Sequence, residues 1–196
     1  MCIVGLTIFL GGSIIYKEIE RLTILTLLSR PISRTQFLMG KYVGFMALLM
    51  TFIFGFYIVF SINLLLLGFD FNFIDLAIAF LGIILECFTL LAVTTFFSTF
   101  CASFLTILFS VGFFLVAHWS VSIATLEQHG QKTLFYYIVH FAKQALPNFE
   151  HFNWRLNALE SFVTGEQIVR SSGIAVLWIL IFLICASFIF RNKDFA

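Results

Sequence analysis

The sequence predicts an all-α, polytopic membrane protein, and three observations carry that prediction. The first is composition: of 196 residues, 61% are hydrophobic, 11% are charged and 28 are phenylalanine, against roughly 25% charged residues in a soluble domain. The second is distribution. The apolar text falls into five runs, 1–16, 42–67, 74–97, 104–124 and 171–190, each at or near the roughly 20 residues that a helix needs to cross a bilayer. The third is that the charged residues gather between and after these runs instead of alternating along them.

The runs follow in order as one transmembrane domain over 1–196. Residues 1–16, "MCIVGLTIFLGGSIIY", carry no charge but are slightly short, so they read as a span that begins at or before the start of this chain. Residues 42–67 hold 26 positions without a charge. The run 74–97 is interrupted only by Asp75 at its edge and Glu86 in its middle. The run 104–124 contains His118 and Trp119, and 171–190 closes the series. "GFDFNF" and "STFCAS" are tight turns on either side of the third run, whereas about 46 residues separate the fourth run from the fifth.

Orientation follows from Lys and Arg in the loops. One side holds Lys17, Arg21, Arg30, Arg34 and Lys41, with Arg191 and Lys193 in the tail. The other holds Lys132, Lys143, Arg155 and Arg170, matched by Glu127, Glu150, Glu160 and Glu166. Segment 17–41 and the C-terminus are therefore expected in the cytoplasm. Five spans then put the N-terminus outside, and no basic n-region or cleavage site explains that; an earlier, first span is expected to be missing.

Segment 17–41 breaks the apolar text with charge and a proline. "KEIERLTILTLLS" spaces Ile19, Leu22, Leu25 or Thr26, and Leu28 as one face of a short amphipathic helix along the membrane. Pro31 stops it, lacking an amide hydrogen and disfavouring helix at the residue before it. Ser33 and Gln36 then form a capping-box pattern, opening a helix from Arg34 to about Leu67. Such a helix is about 50 Å long, more than a hydrocarbon core of about 30 Å requires. Gly40 and Gly44 form a GxxxG near its start, a pattern that permits close helix packing.

"EIERLTILTLLSRPISRTQFLMGKYVG" resembles the cytoplasmic hallmark of permease subunits of ATP-binding-cassette (ABC) exporters of the second exporter class. Glu18 and Glu20 stand at the acidic positions and Thr23 or Thr26 at the threonine. Leu27-Leu28-Ser29, Pro31-Ile32-Ser33-Arg34 and Gly40-Lys41 match directly, while Leu22 departs from the glycine of many members. The paired long spans, "ALPNFEHFN" and the closing "FRNKDF" are similar to permeases grouped with the nitrous-oxide-reductase maturation transporter. The resemblance implies a six-span fold in the bacterial inner membrane, with five spans visible here, working as two permeases, alike or paralogous, with two ATPases. It makes 17–41 a coupling element that docks on a cytoplasmic P-loop ATPase through Glu18, Glu20, Arg21, Arg30, Pro31, Ser33 and Arg34. ATP and Mg would sit on that partner. This chain has no GxxxxGK[ST] to hold a nucleotide's phosphates, and no cofactor of its own is expected.

Other residues carry chemistry independently of the resemblance. A carboxylate inside a bilayer is costly, so Glu86 should face protein or water. It reads as a proton or cation site, as a paired or protonated acid packed on another helix, or as part of a translocation path. His118 is the available partner, and itself reads as a satisfied interfacial or interhelical donor. Residues 125–165 read as an extracellular helical insertion resting at the outer leaflet, with an amphipathic helix over 132–146 ended by Pro147. Thr164 and Gln167 offer a second capping box before the last run. His129, His140 and His151 recur every 11 positions, about 16 Å along a helix, too far apart to share a metal. Cys2, Cys87, Cys101 and Cys185 lie in or beside apolar runs and form no CxxC pair, so they read as span residues and not as a disulfide framework. A net charge of +1 gives no field for nucleic acid.

Three function classes are left. The first is the permease of an ABC exporter, with no catalysis of its own. The second is an ion-coupled secondary carrier using Glu86 and His118. The third is a membrane assembly factor that transports nothing.

Overall fold

The computed structural model describes residues 2–20, 33–69, 71–118, 147–154 and 163–191, with the backbone alone for 13–20. Five α-helices and one short 3-10 turn account for nearly all of them. They are α1 (Cys2–Glu20), α2 (Arg34–Leu66), α3 (Phe73–Ser98), α4 (Ser103–His118), the turn Phe149–Phe152, and α5 (Gly165–Arg191). No strand occurs among the described residues. The helices α2, α3 and α5 are long and apolar enough to cross a membrane, and α1 and α4 contain shorter apolar helices. The chain is an all-α polytopic membrane protein.

Local chemistry sets the helix ends. Ser33 accepts from the Gln36 amide while the Gln36 side chain accepts from the Ser33 amide, a complete capping box. From there α2 runs 33 residues. It ends where Gly68 takes φ +72°, the left-handed conformation that glycine adopts without a Cβ penalty. Phe69 N–H then donates back to the Leu64 carbonyl at 3.2 Å. Asn72 caps α3 through the Ile74 amide at 3.1 Å. The second capping box is half made: Thr164 N–H donates to the Gln167 side chain at 3.3 Å.

The first corner differs from the sequence reading at one point. No new helix begins at Lys17, because α1 continues through Glu20. No glycine or proline stands between Tyr16 and Glu20 to stop it. Residues 21–32, and with them the remainder of the expected amphipathic helix, lie outside the described residues, as do 119–146, which include Trp119, His129, His140 and the expected helix over 132–146.

Helix α3 is the centre of the bundle and packs against α1, α2, α4 and α5. Val4 and Ile8 of α1, Leu90 and Leu91 of α3, Phe114 of α4, and Ala175 and Leu183 of α5 share one core. Small residues let the backbones approach. A Cβ on Gly11 would collide with the Thr94 side chain, and one on Gly12 would stand 2.8 Å from Ile107 Cγ1. Gly40 and Gly44 have nothing within 4 Å of such a Cβ among the described residues. Outside the core, Phe54, Phe104, Ile184 and Phe188 are mostly exposed. In an aqueous protein these would be misplaced; in a membrane their solvent is hydrocarbon.

Several buried threonine hydroxyls donate within their own helices, as a low-dielectric surrounding favours. Thr89 donates to the Leu85 carbonyl at 2.8 Å and Thr95 to the Leu91 carbonyl at 2.7 Å.

Candidate functional site

Two regions gather the chemistry, one at the helix ends that carry the basic residues and one inside the bundle.

At the basic ends, Arg34 in the first turn of α2 donates from Nη1 to the Arg191 carbonyl, the last residue of α5, at 3.1 Å. Three residues on, the Phe37 ring stacks on Phe190 with centroids 6.4 Å apart. Lys41 Nζ lies 5.8 Å above the Phe37 ring, within cation–π range. The start of α2 is thus fastened to the end of α5. Of the seven residues expected to dock a partner, Ser33 and Arg34 are placed here. Glu18 and Glu20 lie in the last turn of α1, while Arg21, Arg30 and Pro31 fall outside the described residues.

Inside the bundle, Glu86 is 1% exposed, and His118 Nε2 approaches its Oε1 to 3.7 Å. Helix arithmetic explains the meeting. Glu86 stands 12 residues before the end of α3, and His118 stands 15 residues after the start of α4. Across the tight turn 99–102 these are climbs of about 18 and 22 Å along antiparallel helices. The pair therefore lies near the midpoint of α3, which fits the interhelical reading of His118 over the interfacial one. Among the described residues His118 Nδ1 is buried with no hydrogen-bond partner.

An aromatic cage closes on the pair. The His118 ring is 4.5 Å from that of Phe114 and 5.8 Å, edge to face, from that of Phe149. Phe149 also meets Phe113 and Phe152. Phe149, Phe152 and Trp154 are all buried. The aromatic side of segment 147–154 thus packs into the bundle near His118 while His151 stays exposed; most of the expected insertion over 125–165 lies outside the described residues. Two features admit the segment. Gly82, one helical turn outward from Glu86 on the same face of α3, has no Cβ, and a Cβ there would collide with the Phe152 carbonyl oxygen. Ser171 of α5 donates to the His151 carbonyl at 3.0 Å, satisfying an acceptor that the 3-10 turn leaves open.

The sequence reading missed Gly82, Phe149, Phe152, Trp154 and Ser171. A signal was present in "NFEHFNW": aromatic residues three and two apart stay on one side of a tight turn. Chemically, a carboxylate and an imidazole in a nonaqueous surrounding can hold and pass a proton. Buried charge there is expensive, and the two groups face each other at 3.7 Å. Among the described residues no group of three or more His, Cys, Asp or Glu could hold a metal ion.

No curated protein and no solved structure matches the chain. The family model for ABC-2 family transporter proteins matches residues 1–195, a range that takes in all five helices, the fastened start of α2 and the buried pair. The chain belongs to this family and is an ABC transporter permease.

Proposed function

We propose that the chain is the membrane-spanning subunit of an ATP-driven exporter, similar to the permeases grouped with the nitrous-oxide-reductase maturation transporter. In this reading it acts in the bacterial inner membrane with its C-terminus in the cytoplasm, beside a second permease copy or paralogue. Hydrolysis belongs to a separate P-loop ATPase that holds ATP and Mg. Segment 17–41 docks on that ATPase, with Glu18, Glu20, Arg21 and Arg30 making the charged contacts. Pro31 and the Ser33 cap fix the angle of the corner.

The observation that carries the reading is the fastening of Arg34 to Arg191 at 3.1 Å in a chain that the ABC-2 family model matches throughout. A docked corner can move spans only if it is joined to them. Here the join reaches α2 by continuity and α5 by a hydrogen bond and a ring stack. The alternative of an ion-coupled carrier has the Glu86–His118 pair behind it, but family membership argues for ATP as the energy source.

The test is co-purification with a P-loop ATPase, sought first among the reading frames that neighbour this one. Glu20→Arg combined with Arg30→Glu should abolish recovery of the ATPase while leaving membrane insertion intact. Undiminished recovery would remove the docking assignment.

A further inference from the structure

We infer that Glu86 and His118 are positioning residues that hold segment 147–154 inside the bundle as a plug, the pair seating Phe149 and Gly82 making room for the backbone that follows it.

The inference rests on three contacts that converge on one short segment. The Phe149 ring is 0% exposed and leans on the His118 imidazole at 5.8 Å and on Phe114 at 6.2 Å. His118, in the last turn of α4, brings its Nε2 to 3.7 Å from Glu86 Oε1. The Phe152 carbonyl lies against Gly82, one turn from Glu86. The face of α3 that carries the acid is thus the face that receives the plug. Ser171 ties the same segment to α5. The plug therefore touches α3, α4 and α5 at once, and irregular backbone at this depth is tolerated because protein surrounds it.

The energetics favour a latch over simple packing. A well-packed apolar trio would seat Phe149 without burying a carboxylate, and replacing a buried ion pair by hydrophobic residues is often neutral or stabilising. A pair kept where apolar packing would serve is assigned to orienting the ring that its imidazole touches, that of Phe149.

The experiment measures seating without transport. Amide hydrogen exchange of the 147–154 peptide is followed in the full chain in nanodiscs, for the natural sequence and for Glu86→Met, Glu86→Gln, His118→Phe and Gly82→Ala. Glu86→Met and His118→Phe should each raise exchange in 147–154 roughly tenfold, with the interiors of α3 and α5 unchanged. Glu86→Gln keeps an acceptor for His118 and should stay near the natural sequence. Gly82→Ala pushes the backbone out directly and should match or exceed the pair variants. The inference is overturned if the pair variants leave 147–154 unchanged, whether or not Gly82→Ala loosens it. It is equally overturned if exchange rises by the same factor throughout the bundle, or if Glu86→Gln behaves as Glu86→Met does. Loss of the ATPase interaction in the Glu20/Arg30 variant would bear on the permease reading alone and leave this result untouched.

Discussion

Arg34 Nη1 donates to the carbonyl oxygen of Arg191 at 3.1 Å, joining the first turn of α2 to the last turn of α5 across 157 positions of sequence. Helix C-termini leave carbonyls without intrahelical partners, and a basic side chain can satisfy one of them. The guanidinium also opposes the negative end of the α5 dipole. Arg34→Ala should therefore destabilise the protein by about 0.5–1 kcal/mol, read as a lower thermal midpoint in detergent. Arg34→Lys should recover part of the loss, because it retains the charge but has a single donor group. Equal midpoints for the Ala variant and the natural protein would show that the bond contributes nothing.

Glycine positions give a contrast within one chain. Gly11 faces Thr94 so closely that any Cβ collides with it, while Gly40 has nothing within 4 Å among the described residues. Gly11→Val should cost about 1–3 kcal/mol through overpacking, whereas Gly40→Val should stay within about 0.5 kcal/mol. Unfolding of the isolated chain in mixed micelles separates the two. Similar losses at both positions would mean that close packing at Gly11 is not specific.

What was legible in the sequence was what local spacing determines. The Ser33–Gln36 box is an i,i+3 relation between side chains and backbone amides, and no distant residue can change it. The length of α2 followed from an unbroken uncharged run. Pairing between helices was only half legible. His118 could be named as a candidate for Glu86, but its depth depended on how far α4 climbs from the turn at 99–102. Segment 147–154 was half legible: its polar residues, Asn148, Glu150, His151 and Asn153, make it look hydrated, while Phe149, Phe152 and Trp154 are the ones buried. Nor does a single apolar run reveal which glycine will face another backbone. GxxxG at Gly40 and Gly44 looked like a packing site, and Gly11, Gly12 and Gly82 turned out to be the close approaches.

Tyr42 tests how much an interhelical hydrogen bond contributes in this bundle. Its hydroxyl donates to the Phe88 carbonyl at 3.1 Å, and the residue is 4% exposed. Such bonds between transmembrane helices average about 0.6 kcal/mol, so Tyr42→Phe should lose about that much and keep the packing of the ring. Tyr57→Phe, whose longer bond to the Phe73 carbonyl spans 3.4 Å near the surface, should change stability by less. The two variants, compared by reversible unfolding in bicelles, should therefore fall in that order, and the reverse order would place the join between α2 and α3 elsewhere.

Glu86 and His118 should behave as a unit in a double-mutant cycle. His118→Phe leaves a buried carboxylate without its imidazole, and removing one member of a buried pair costs roughly 3–5 kcal/mol. Glu86→Met removes the buried carboxylate itself, so its loss should be smaller. With both replaced, neither group is stranded. The double variant should then be more stable than the sum of the single losses predicts, by about 0.5–3 kcal/mol, the range for residues in contact. The asymmetry matters as much as the coupling: a larger loss for His118→Phe than for Glu86→Met says that the carboxylate is the group needing support. Losses that add to within about 0.5 kcal/mol would mean that the 3.7 Å approach is proximity without interaction.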